Sequence, residues 1–111
     1  MMIEKIVLDY LEQNTAVLVS TEKRSQSGKY IVIEKVGGGE TNHIKRASIA
    51  VQSYADTMYE AAELNETVKA LMQGIVALGS VSSCRLDTDY NFTDTISKKY
   101  RYQAVFDLVH Y

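Results

Sequence analysis

A chain of 111 residues with 46% hydrophobic and 23% charged residues is long enough to bury its own core and too apolar for wholesale disorder. Its 12 basic and 14 acidic residues are interspersed and leave a net charge of -2, which excludes a basic stripe gripping the outside of nucleic acid. A single cysteine, Cys84, excludes an intrachain disulfide and points to a reducing compartment. Eight tyrosines against two phenylalanines and no tryptophan favour half-buried sheet faces and protein interfaces, because the ring is apolar and its tip polar.

The N-terminal MMIEKIVLDYLEQ carries Glu4, Asp9 and Glu12 among its apolar residues, so it reads neither as a signal-peptide core nor as a membrane span. A soluble protein made in cytoplasm is expected. From Met2 to Glu12, the residues Ile3, Ile6, Val7, Tyr10 and Leu11 share one helix face, which predicts a short amphipathic helix lying on a sheet. Ala16 to Ser20 predicts a brief strand, and the polar Thr21 to Gly28 an exposed loop. Lys29 to Val36 begins as a continuous apolar run and predicts the middle strand of the sheet, emerging into solvent at Glu34 and Lys35. Gly37, Gly38 and Gly39 then supply the positive φ angles of a turn between antiparallel strands, the next beginning near Ile44.

Between Ala47 and Ile75 the hydrophobic period changes from two to three and four. Ser48 to Tyr54 alternates as a strand, and Met58, Ala61, Leu64, Val68, Leu71 and Ile75 fall on one helix face. Ser53 and Asp56 predict a capping box at the helix start, with the helix running to about Ala77 and fraying at Gly74 and Gly79. Glu60, Glu63, Glu66, Lys69 and Gln73 occupy its outer side. Ser80 to Tyr90 predicts a strand with one wet face, Asn91 to Lys99 a polar connection, and Tyr100 to Tyr111 a strand of clear period two. The expectation is one α+β domain over 1-111: a single antiparallel or mixed sheet of about five strands, two helices on one face, in the order α-β-β-β-α-β-β.

Candidate chemistry is thin. The glycine triplet lacks the Lys-Ser/Thr pair and the helix start of a phosphate loop. Asp87 and Asp89, two apart on a strand, share a face and could hold a divalent cation for a small metal-dependent nuclease, with Asp94 or Asp107 as the third carboxylate; the plainer reading is a solvated strand. His43, His110 and Cys84 lack the spacing of a zinc site, and Cys84 reads as a small buried hydrophobe. The short clusters Lys23-Arg24, Lys45-Arg46 and Lys98-Lys99 with Arg101 read as solvated loops or strand ends. No cofactor and no catalytic group is expected.

Four pieces in order, LDYLEQN, KYIVIEKVGGGETN, IAVQSYADTMYEAAEL and YRYQAVFDLVHY, resemble the tail terminator (tail completion) proteins of long-tailed bacteriophages and prophages, over nearly the whole chain. A related head-tail connector or stopper protein is compatible with the same layout, and a monomeric cellular binding module is the alternative outside that class. The resemblance implies a homo-hexameric ring at the head-proximal end of the tail tube in the virion, assembled in the bacterial cytoplasm. Such a ring ends tube polymerisation, contacts the tail tube protein and gives the head connector or stopper a docking surface, while DNA passes through its lumen without specific binding. Ring contacts are heterologous, so two different patches are implied: one with Tyr59, Glu63 and Glu66 on the long helix, the other near Tyr100 and Tyr102. The loop with Glu22, Lys23 and Arg24 and the turn with Gly37, Gly38 and Gly39 are the expected contacts to tube or connector.

Overall fold

The computed structural model describes residues 2–22, 28–93 and 99–111. It contains a five-stranded sheet, order β1-β2-β3-β5-β4, formed by β1 (Leu18–Ser20), β2 (Tyr30–Thr41), β3 (Ile44–Ala55), β4 (Val81–Asn91) and β5 (Tyr100–His110). Helix α1 (Ile3–Asn14) precedes the sheet and α2 (Met58–Gln73) follows β3, so the expected α+β class and element order hold. β1 pairs with β2 in parallel and every other pairing is antiparallel, which makes the sheet mixed.

Both helices lie on one face. Ile3, Val7 and Leu11 of α1 recur every four residues and pack in one core with Leu64, Val68 and Met72 of α2. The sheet supplies Ile31, Ile33, Ile49, Val51, Ala104, Phe106 and Leu108 to that core, the alternating inward positions of three adjacent strands. The α1 C-terminus is satisfied locally, with Asn14 Nδ2 donating to the Tyr10 carbonyl at 2.7 Å and Thr15 Oγ1 to the Leu11 carbonyl at 2.9 Å.

Three expectations are corrected. The middle of the sheet is β3, not the Lys29 to Val36 strand, although that strand is buried from Tyr30 to Ile33 and emerges at Glu34 as its apolar run implies. Small and polar residues such as Ser48, Gln52 and Ser53 disguise β3 as one-sided. The glycines form no turn. Gly37, Gly38 and Gly39 are paired strand residues opposite Ser48, Ala47 and Arg46, and the two-residue turn is Asn42-His43, with φ of 51° and 66°. Asparagine tolerates the left-handed region, and two successive positive φ values match the twist of a tight hairpin. Glycine at 38 serves close approach instead: a Cβ there would lie 2.8 Å from Lys35 Cε and 3.2 Å from the Arg46 carbonyl.

The start of α2 also moves. Ser53 and Tyr54 are still paired with Ile31 and Tyr30 of β2 and with Tyr102 and Arg101 of β5, so the chain leaves the sheet only after Ala55. Thr57 is the cap: its Oγ1 accepts from the Glu60 N–H at 3.2 Å and donates to the Glu60 carboxylate at 3.1 Å, a T-x-x-E pairing one turn later than the S-x-x-D one. The helix ends at Gln73, and a short 3-10 turn, Ile75–Leu78, continues to Gly79, whose φ of 79° reverses the chain. Gly74 makes room for Tyr10, since a Cβ there would meet the Tyr10 hydroxyl at 2.8 Å. That hydroxyl donates to the Leu71 carbonyl at 2.6 Å and ties α1 to the end of α2.

The other sheet face carries a polar and aromatic ladder. Tyr30 and Tyr54 stack with ring centroids 4.5 Å apart and planes 8° from parallel, and Val32 and Val17 pack beside them. Gln52 Nε2 donates to Gln103 Oε1 at 2.8 Å, Tyr54 OH donates to Gln52 Oε1 at 3.2 Å, and Gln103 Nε2 donates to Tyr90 OH at 2.6 Å. Arg101 donates to Tyr54 OH at 2.9 Å and lies 4.2 Å from the Phe92 ring centroid. The ladder thus crosses from β2 to β4 with its buried amides paired.

Candidate functional site

Two surfaces gather the polar and aromatic residues that no core explains. The first is a groove of about 420 Å³ between α2 and the β4–β5 side of the sheet, lined by Tyr59, Glu63, Asn65, Glu66, Asp89 and Tyr102. Tyr59, Glu63 and Glu66 fall at helical spacings of four and three, which puts them on one ridge of α2. Tyr59 is 75% exposed. Lys69 bridges the groove wall, 2.9 Å from Glu66 and 3.0 Å from Asp89, and both carboxylates hold its amine above the usual lysine range. Asn65 donates to Asp89 at 3.1 Å, yet its own Oδ1 is buried and accepts no hydrogen bond, an uncommon state for an interior amide. Glu63 forms no ion pair among the described residues.

The second surface is a trough of about 680 Å³ on the opposite face, where the β2–β3 hairpin meets β5 and β4. Arg46 and Ser83 both pair with Val109, and Ser48 and Arg85 both pair with Asp107, so two neighbouring cross-strand rows carry the polar lining. Gly38 and Gly39 form part of the wall and leave it shallow. Ser48 Oγ donates to Asp107 Oδ1 at 2.7 Å. Neither Arg46 nor Arg85 forms an ion pair among the described residues, and both are exposed.

The expected patches are therefore rearranged. Tyr59, Glu63, Glu66 and Tyr102 line one groove instead of two separate surfaces, because β5 runs beside β3, directly under α2. Tyr100 is half-buried opposite Ala55 and does not line it. Gly38 and Gly39 belong to the trough, roughly 25 Å away along β3. Gly37, exposed beside the β2 bulge at Val36, precedes them. Glu22 is exposed just beyond β1, and Lys23, Arg24 and Asp94 lie outside the described residues.

The paired aspartates fall on an irregular stretch of β4. Leu86 pairs with Phe106 and Asp89 with Ala104, so these two share the helix-covered face three residues apart. A bulge between Leu86 and Thr88 leaves Asp87 without a β5 partner. Asp89 is occupied by Lys69 and Asn65, and Asp107 faces the trough on the other side of the sheet. Among the described residues no three His, Cys, Asp or Glu side chains are grouped to hold a metal ion. Burial pushes the Cys84 thiol up to about 11, so it is protonated at neutral pH. His43 forms the hairpin turn and His110 closes β5.

Sequence reasoning overlooked Arg46, Arg85, Asn65 and the role of Asp56. Asn65 had a signal: it lies four residues from Ala61 and three from Val68, a polar residue inside the apolar stripe. Asp56 fastens three segments, its carboxylate accepting from Lys99 Nζ at 2.9 Å and from the Gly28 N–H at 2.9 Å. The Lys99 hydrogen bond, then that of Gly28, holds this carboxyl below the usual carboxylate range. A depressed folded-state pKa contributes stability that is present above the unfolded value and is lost as pH falls through the folded one. The stability gap between the wild type and Asp56→Ala, measured by urea unfolding, is therefore expected at neutral pH and to close in acid, below the ordinary carboxylate range. A gap that persists unchanged there would show that the ion pair is not its source.

No protein-family model and no curated protein matches the chain. Among the described residues, no helix is long and apolar enough to cross a membrane.

Proposed function

We propose that this chain is a ring-forming structural subunit of a long-tailed bacteriophage virion, one that caps the head-proximal end of the tail tube and offers the head connector a docking surface. The supporting observation is the groove that joins Tyr59, Tyr102, Glu63 and Glu66, with Asn65 buried in its wall. Exposed tyrosine beside carboxylates is surface chemistry suited to docking a protein, since aromatic anchors supply contact area and charged groups supply direction. The sequence resemblance supplies the assembly in which such docking acts. No residue of this chain is assigned a chemical step.

In a growing-tube assay with the major tail tube protein of the same virus, purified subunit is expected to halt elongation at one end. Glu63→Lys with Glu66→Lys should leave folding intact and abolish that halt. Tubes that elongate equally with and without the wild-type subunit would overturn the reading. A subunit that leaves tube length unchanged but is needed to attach heads would be another neck component.

A further inference from the structure

We propose that the arginine trough receives the acidic ridge of α2 from a second copy of this chain. This deepens the ring reading above and rests on it. The trough is concave, walled in part by glycine backbone, and carries two guanidinium groups against one carboxylate, with Ser48 already engaging Asp107. A guanidinium fork binds carboxylates in a planar two-bond geometry, so Arg46 and Arg85 select a partner with projecting carboxylates. The ridge of α2 presents Glu63, which forms no ion pair among the described residues, and Glu66, which is shared with Lys69, beside the exposed Tyr59. The charges of the two surfaces are complementary.

The two surfaces cannot meet within one chain. The trough lies on the sheet face opposite α2 and at the hairpin end of β3, whereas α2 begins where β3 ends. A contact between them therefore joins different patches of two copies, and leaves a ridge free on one copy and a trough free on the other for the next neighbours. That is a heterologous contact, the kind that builds a ring where the rotation between neighbours closes and a filament where it does not. Missing side chains at Gly38 and Gly39 let the incoming helix approach the hairpin backbone, which a β-branched wall would prevent.

The test uses two full-length variants, Arg46→Glu with Arg85→Glu and Glu63→Lys with Glu66→Lys, each checked by thermal melting. Self-association is followed by sedimentation and native mass across concentration, at low and high salt. Each variant alone places like charges in every contact and is expected to associate about a hundredfold more weakly than the wild type. An equimolar mixture of the two restores opposite charges at every contact and is expected to regain wild-type assembly as an alternating ring. Variants that assemble as well as the wild type would overturn the trough contact and leave the ring reading standing. Variants that fail alone and are not rescued by mixing would overturn the pairing and assign the trough to another acidic partner. A wild-type chain that stays monomeric at every concentration, with and without tail tube ends, would overturn both.

Discussion

Phe106→Ala is expected to cost about 3–5 kcal/mol of folding stability, the usual loss when a buried phenylalanine is truncated in a core that relaxes only partly. Phe106 is 1% exposed on β5, between Ile49 of β3 and Leu86 of β4. It lies on the face that both helices cover, in the same core as Val68 of α2 and Leu11 of α1. Truncation there removes contacts to every layer at once. A domain of this size has about 5–15 kcal/mol in hand, so the variant is expected to unfold at markedly lower denaturant or temperature. A midpoint equal to that of the wild type in a urea titration would place the core elsewhere.

The second large effect is on the opposite face. Gln103→Leu removes the acceptor of the Gln52 amide and the donor to Tyr90, leaving a buried N–H without a partner. The expected cost is about 2–3 kcal/mol, mostly the desolvation of the orphaned group. Adding Gln52→Leu should recover part of it, because both members of the pair are then apolar; recovery is partial because Tyr54 loses the acceptor of its hydroxyl proton. A double-mutant cycle measures this directly, with a coupling of about 1–2 kcal/mol expected. Strict additivity would mean that the ladder does not act as a network.

What could be read from the sequence followed hydrophobic period. The faces of α1 and α2, the alternation of β5 and the α+β order were all legible, because Ile3, Val7 and Leu11, or Ala104, Phe106 and Leu108, repeat at spacings that admit one geometry. What escaped depended on contacts between distant residues. The glycine triplet looked like a turn because glycine usually punctuates, whereas here it faces Ser48, Ala47 and Arg46 across the hairpin and the tighter signal was Asn42. The helix cap shifted from Ser53 to Thr57 because pairing on both sides holds Ser53 in the sheet, a long-range constraint that local propensity does not contain.

The candidate surfaces show the same division. Tyr59, Glu63 and Glu66 were visible as one ridge from their spacing, but the placement of Tyr102 and Asp89 beside them required the strand order. Arg46 and Arg85 stand far apart in the chain and come together only because each sits across from a β5 residue, Val109 and Asp107. No local pattern announces such a pair. A bulge is equally silent, and the one at Asp87 interrupts the ladder just before Asp89, which Lys69 and Asn65 engage.

The proposed role requires that loss of this chain leave tail growth unchecked. Electron micrographs of particles produced after deletion of its gene are the most direct measurement. Overlong tail tubes together with filled, unattached heads are the predicted result, and tails of normal length joined to heads would contradict it.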